Sequence, residues 1–218
     1  MAPMCQRLMK IEDLSLDKIS ALLADKSRAP DLSRSIPFHF PEAARPASVL
    51  IAFQSLDNGK GRFQLVFTRR TDTVPDHKSQ VAFPGGRSEP CDKSPADTAL
   101  REAFEEIGVK PQDVTILGNL DPILTISNYL VTPVVGYIPF PYIFTPEPGE
   151  VSRVFTIPIA WLANPTNVEI RSRELGPPIL EVPQAFRVVY FKPYDGEILW
   201  GVSAEITLRL ITCLQVVN

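Results

Sequence analysis

Apolar residues recur along this chain with two different periods. Leu16, Ile19, Leu22 and Leu23 fall at three- and four-residue intervals behind Ser15, which predicts a short capped helix over residues 16–24. Ser48–Phe53 and Phe63–Thr68 are compact apolar runs separated by D-N-G-K-G, and predict a β-hairpin. Helical spacing returns after Ser94. Ala96, Ala99, Leu100, Ala103, Phe104 and Ile107 make one apolar face, with Ser94 as cap, Pro95 at the first position and Asp97 where a capping-box acid belongs. Gly108 ends that helix. Further strands are predicted over Val114–Leu120, Val131–Ile138, Val154–Pro158, Asn167–Arg171, Arg187–Phe191 and Glu197–Trp200. A long connection joins the first two of these, a proline-rich loop spans Pro139–Gly149, and Trp161 falls in a packed turn. Val202–Leu214 closes the chain as a helix with Ile206, Leu210 and Leu214 aligned. Arg28–Pro46, rich in Pro and Ser, reads as an extended surface segment. Strands around a central and a terminal helix make a mixed α/β domain over residues 46–218, preceded by an N-terminal helix and extended segment over residues 1–45.

The polar side of the central helix breaks two local rules. Glu102 and Glu106 are four residues apart and Glu105 is three from Glu102, so the carboxylates can converge on one side. Like charges at that spacing cost roughly 0.2–0.5 kcal/mol per pair. They also occupy the last turns, where the helix dipole disfavours negative charge. Arg101 can pair with Glu105 but cannot neutralise three acids. An arbitrary E-x-x-E-E helix is most often a solvated acidic face. Here Gly85 and Gly86 lie upstream, where backbone can approach closely and a carbonyl can join carboxylates around one ion. Oxygen donors of this kind suit Mg²⁺ or Mn²⁺.

Composition acts mainly by exclusion. The chain has 218 residues, 44% hydrophobic and 22% charged, with a net charge of -3. That balance suits one domain with a sizeable core and argues against nucleic acid as partner, because no basic stripe is evident. No apolar run reaches the roughly 18 residues of a membrane span. The first residues carry no signal-peptide hydrophobic region, and Cys5, Cys91 and Cys213 lack metal-ligand spacing, so reduced thiols in the cytoplasm are expected. Arg69–Ser79 is a polar, basic-leaning connection just ahead of the acidic helix, suited either to an anionic substrate or to plain solvation.

R-E-A-F-E-E-I-G-V, residues 101–109, resembles the second half of the Nudix box, G-x5-E-x7-R-E-U-x-E-E-x-G-U with U aliphatic. Arg101, Glu102, Glu105, Glu106, Gly108 and Val109 fall on its fixed positions and Gly86 on its first glycine. Two departures stand out: Gly86 to Arg101 is one residue longer than the general pattern, and the first acid is not Glu. Asp92 is the substitute that spacing favours, with Glu89 the other candidate. The resemblance implies an α/β/α sandwich with a mixed β-sheet and a catalytic loop-helix-loop. Phrases over residues 48–210, among them Q-V-A-F-P-G-G, G-N-L-D-P and E-V-S-R-V-F, are most similar to the coenzyme A diphosphatase branch. Of that branch's upstream signature, Thr68, Arg70 and Phe83–Gly86 match, whereas Pro75 replaces an Arg and Ser79 a Gly.

From the resemblance follow the expected chemistry and roles. Glu102, Glu105, Glu106 and the Gly85 carbonyl would hold Mg²⁺ or Mn²⁺, and Arg101 would serve catalysis by orienting the glutamates. Glu105 or Glu150 would act as general base, and Arg70 with Gly86 would contact substrate. The substrate would be a small-molecule diphosphate, with coenzyme A or acyl-coenzyme A first, giving 3′,5′-ADP and 4′-phosphopantetheine. ADP-ribose, NADH or another nucleoside diphosphate derivative is one alternative, and a non-catalytic ligand-binding module another. Many family members dimerise, so a homodimer is an assembly the resemblance admits.

Overall fold

The chain's apolar runs assemble as one mixed sheet between helices in the computed structural model, which describes residues 9–25, 43–57, 61–72, 80–174, 185–214 and 216–217. In chain order the elements are β1 (Met9–Lys10), α1 (Leu16–Ala24), β2 (Arg45–Ser55), β3 (Phe63–Arg70), β4 (Val81–Ala82), β5 (Gly85–Arg87) and α2 (Pro95–Ile107). There follow β6 (Thr115–Asn119), β7 (Ile123–Leu124), β8 (Tyr129–Tyr137), β9 (Val151–Pro158), α3 (Ile159–Leu162), β10 (Val168–Glu174), β11 (Ala185–Phe191), α4 (Gly201–Leu214) and β12 (Val216–Val217).

The main sheet has eight strands. Its path runs β4-β3-β2-β8-β6, with β5 paired to β2, β7 to β8 and β9 to β3. Only β2 and β8 run parallel; every other pair in it is antiparallel. β2 is buried on both faces, which is why it reads as a continuous apolar run rather than an alternating one. Leu50 and Ala52 meet α2 through Ala99, Ala103 and Ile107. Ile51 and Phe53 point the other way, into a larger core that takes Ile19 and Leu23 of α1 and Ile206, Leu210 and Leu214 of α4. The expected α/β/α sandwich is therefore realised. α1 shares that core, and β1 pairs with β12, so the N-terminal elements pack onto the same body. Among the described residues no helix is long and apolar enough to cross a membrane.

Several boundaries differ from the pattern-based expectation. The hairpin exists only at its tip, where Phe53, Gln54 and Ser55 pair with Leu65, Gln64 and Phe63. Beyond it β2 and β3 part, and residues 81–87 enter the gap: β4 pairs with β3, β5 pairs with β2, and the Pro84 carbonyl accepts from Leu50 N–H at 2.8 Å. β2 also starts at Arg45, inside the stretch expected to be extended surface; residues 28–42 of that stretch lie outside the described residues. The connection after β6 contains β7, and Trp161 sits in the short helix α3. Glu197–Trp200 is not a strand. Asp195 and Gly196 have φ of 51° and 79°, which turns Glu197 back onto Tyr194, and Trp200 makes only a single bridge to Tyr190.

Candidate active site

α2 forms with the predicted bounds and caps. Ser94 accepts from Asp97 N–H at 3.2 Å, and Asp97 in turn accepts from Lys93 N–H at 3.0 Å. Gly108, at φ 70°, ends the helix in the left-handed region with Val109 N–H donating to Ala103. The faces differ from the reading of the sequence at two positions. Phe104, expected in the core, is 52% exposed, whereas Glu106 is only 4% exposed. The helix turns an acid inward because the β4–β5 strand wedge stands opposite it, with polar backbone to offer.

That backbone comes from the two glycines. Gly85 N–H donates to Glu106 Oε2 at 3.3 Å. A Cβ on Gly85 would lie 2.4 Å from the Ser48 carbonyl oxygen and 2.6 Å from Val49 Cα, at a φ of +156° that suits glycine. A Cβ on Gly86 would meet the Glu102 carboxylate at 2.5 Å. The strand pair Val49–Gly85 and Ser48–Gly86 thus lays bare backbone against two of the three glutamates.

Arg101 is the hub of the polar side. Its guanidinium donates to Asp92 Oδ1 (3.2 Å) and Oδ2 (3.0 Å), the Arg87 carbonyl (2.8 Å), Glu102 Oε1 (2.9 Å) and Glu105 Oε2 (3.0 Å). Asp92 also accepts from the Thr98 hydroxyl at 2.9 Å and from Glu89 N–H at 2.9 Å. These bonds hold the Asp92 carboxyl well below the usual carboxylate range and keep Arg101 charged. Asp92, not Glu89, therefore stands as the acid that fixes Arg101. Because Arg101 spends its donors on the protein, it positions glutamates and does not reach outward.

The glutamates have unequal settings. Glu105 is the most exposed, with its side chain 56% open and tied to Arg101. Glu102 is mostly covered; burial pushes its carboxyl up, opposed by Arg101 and reinforced by the charges of Glu105 and Glu150. Burial pushes Glu106 up to about 8. Arg70 Nη1, 3.6 Å from Glu106 Oε1, pulls the other way, and the charges of Glu102 and Glu150 push further up. Burial wins over the ion pair. The Glu150 charge acts on both Glu102 and Glu106, and its carbonyl accepts from Thr71 N–H at 2.9 Å, which ties this loop to the end of β3. Arg70 Nε is buried with no hydrogen-bond partner among the described residues.

Among the described residues no three acidic, histidine or cysteine groups already stand at metal-ligand spacing. The donor set nevertheless fits a hard divalent cation: all oxygen, mutually repelling, set against a glycine backbone, and partly covered. Arg101 draws Glu102 and Glu105 aside, and Arg70 draws Glu106. Pro75, His77, Lys78 and Ser79 lie outside the described residues.

A mixed sheet between helices, with an acid-bearing helix held against a Gly-Gly strand, is the α/β/α arrangement that the box motif implies. The chain belongs to the Nudix family, acting on nucleoside diphosphate derivatives: residues 47–177 match the NUDIX domain, a stretch that includes every site residue named so far. A Photorhabdus laumondii protein described as an uncharacterised Nudix hydrolase NudL is 38% identical over 152 residues, spanning 70% of this chain and 78% of its own. A Yersinia pestis (strain Pestoides F) protein of the same description is 33% identical over 184 residues, spanning 83% and 85%. A MutT/nudix family protein from Enterococcus faecalis superposes with a TM-score of 0.48 at 12% identity, over 80% of this chain and 63% of that one.

Proposed function

We propose that this Nudix hydrolase cleaves the diphosphate of coenzyme A or acyl-coenzyme A, using Mg²⁺ or Mn²⁺, to give 3′,5′-ADP and 4′-phosphopantetheine. The single observation that carries the chemistry is the Arg70–Glu106 ion pair on the acidic helix, with the buried Arg70 Nε lacking a partner among the described residues. Support for the substrate comes from Thr68, Arg70 and Phe83–Gly86, which match part of the coenzyme A signature, although Pro75 and Ser79 depart from it.

Glu102, Glu105 and Glu106 would hold the cation, with the Gly85 carbonyl as a further oxygen donor. A bound divalent ion would neutralise the diphosphate and lower the pKa of an attacking water. Arg101, clamped by Asp92, keeps Glu102 and Glu105 aimed. Arg70 contacts a phosphate oxygen; Gly86, whose missing side chain leaves room for the Glu102 carboxylate, is the other substrate contact of this reading. Glu150 or Glu105 accepts the proton of the water; Glu150 is favoured because Glu105 is already engaged by Arg101. Homodimeric assembly and a cytoplasmic site of action complete the reading by family resemblance and by the reduced cysteines expected from sequence.

The test is hydrolysis of coenzyme A, acyl-coenzyme A, ADP-ribose, NADH and a nucleoside triphosphate with Mg²⁺ or Mn²⁺, wild type against Glu106→Gln. Metal-dependent cleavage of coenzyme A, lost in the variant, is the expected result. Preferred cleavage of ADP-ribose or NADH would replace the substrate and keep the chemistry. No cleavage of any compound, with metal still bound, would make this a ligand-binding module.

A further inference from the structure

Arg70 and Glu150 come to the site from strand ends rather than from α2, so their aim depends on how β3 and β9 meet. Arg69 pairs with Arg153 but Arg70 pairs with Val151, which leaves Ser152 as the extra residue of a β-bulge. The Ser152 hydroxyl donates to the carbonyls of Arg69 (3.0 Å) and Arg70 (3.3 Å). The Thr71 hydroxyl donates to the Gly149 carbonyl at 3.1 Å, beside Glu150. Bulges of this kind re-aim a side chain. Here Arg70 is turned to Glu106, and Arg69 to a different acid.

That acid is Glu197. Arg69 and Arg153 are like charges directly opposite on neighbouring strands, an arrangement that repels. Glu197 Oε1 stands 3.1 Å from Arg153 Nη1 and 3.7 Å from Arg69 Nη1, with its side chain only 8% exposed. Arg153 also donates to the Asp195 carbonyl at 3.2 Å and pairs with the Asp195 carboxylate. Both acids belong to one tight turn, Tyr194–Glu197, whose ends exchange hydrogen bonds of 2.9 and 3.0 Å and whose central residues both have positive φ. Tyr194 packs edge-on against Trp161 at 5.0 Å, which anchors the turn to the body. The turn lies beyond residues 47–177 and so outside the matching domain.

We propose that Glu197 is a positioning residue for substrate binding: by holding Arg69 and Arg153 together it locks the β3–β9 bulge in the register that aims Arg70. The inference rests on the reading of Arg70 as a phosphate contact. Without the acid, two guanidiniums on paired residues lose the counter-charge between them, and the bulge loses the clasp on that side. The effect on ligand binding exceeds that on the metal, because α2 is held separately by the Asp92–Arg101 clamp and Arg70 meets the metal ligands only through Glu106.

The experiment is calorimetric binding of ADP, as a nucleoside diphosphate probe, in the presence of Mg²⁺, together with titration of Mg²⁺ alone. Glu197→Gln and Arg69→Gln are each expected to weaken ADP about tenfold, the double variant no more than either, with Mg²⁺ affinity within about twofold of wild type. Glu197→Asp should restore part of the loss. Wild-type ADP affinity in Glu197→Gln, alongside weakened binding in Arg70→Met, overturns the clasp and leaves the role of Arg70 standing. Undiminished binding in Arg70→Met, or none in wild type, overturns the reading of Arg70 and the clasp with it. Should Glu197→Gln fail to fold, Ser152→Ala loosens the same bulge from the strand side and carries the test with the same outcomes.

Discussion

Glu106→Gln is the perturbation whose consequences the structure fixes most closely. The Glu106 carboxyl keeps its proton in the folded, metal-free protein up to about 8, against an ordinary value of 4.5, chiefly because it is buried. In the window between those values the folded state binds more protons than the unfolded chain. Raising the pH through that window therefore removes stability, and the loss is complete above about pH 8. At 1.36 kcal/mol per unit of pKa difference, ionising the buried acid costs roughly 3–5 kcal/mol. For a chain of this size that corresponds to roughly 10 °C in melting temperature. Glutamine has the same shape and nothing to ionise. In chelator, the melting temperature of wild type should fall by roughly that amount relative to Glu106→Gln between pH 5 and pH 9. All other titrating groups are common to both proteins, so the difference between the curves isolates Glu106. Adding Mg²⁺ should raise the wild-type curve most at high pH, where the ligand is ionised, and leave the variant nearly unmoved. Parallel curves for the two proteins would refute the reasoning, because they would mean that Glu106 titrates alike in the folded and unfolded chain.

Three further outcomes follow from the site's packing. Gly85→Ala drives a Cβ into strand backbone and should abolish folding or cost about 3 kcal/mol or more by chemical denaturation, whereas Gly86→Ala meets only a movable carboxylate and should fold nearly normally with impaired Mg²⁺ binding by titration. Asp92→Ala releases Arg101 and should destabilise by about 2–3 kcal/mol in urea while lowering kcat, since Glu102 and Glu105 lose their fixed partner. Phe104→Ser should cost only about 1 kcal/mol in the same assay, well below the cost at a core Phe, because half of the residue is exposed.

Much of the fold could be read along the chain because its signals are local. Ser15, Ser94, Pro95 and Gly108 act within a turn of themselves: both capped helices begin where the serines require, and α2 ends at Gly108. The buried strands were legible as apolar runs, and the box fixed which helix carries the acids. Periodicity alone misplaced Phe104 and Glu106, since it counts apolar residues and cannot know that a glycine backbone will face the helix. The Glu197–Trp200 segment failed for a related reason: Ile198, Leu199 and Trp200 make it apolar, but the Asp195–Gly196 turn decides its path.

What the sequence determined by itself is chemistry: three glutamates, an arginine among them, a Gly-Gly turn and the helix that spaces them, all within residues 85–108. What only the tertiary structure decided is which groups meet. Asp92 closes on Arg101, Glu106 turns inward while Glu105 stays out, and Arg70, Glu150 and Glu197 arrive from strands and a turn far apart in sequence. The physical reason is that local spacing sets directions along one element. Burial, strand register and the bulge between β3 and β9 set directions between elements, and they have no local signature.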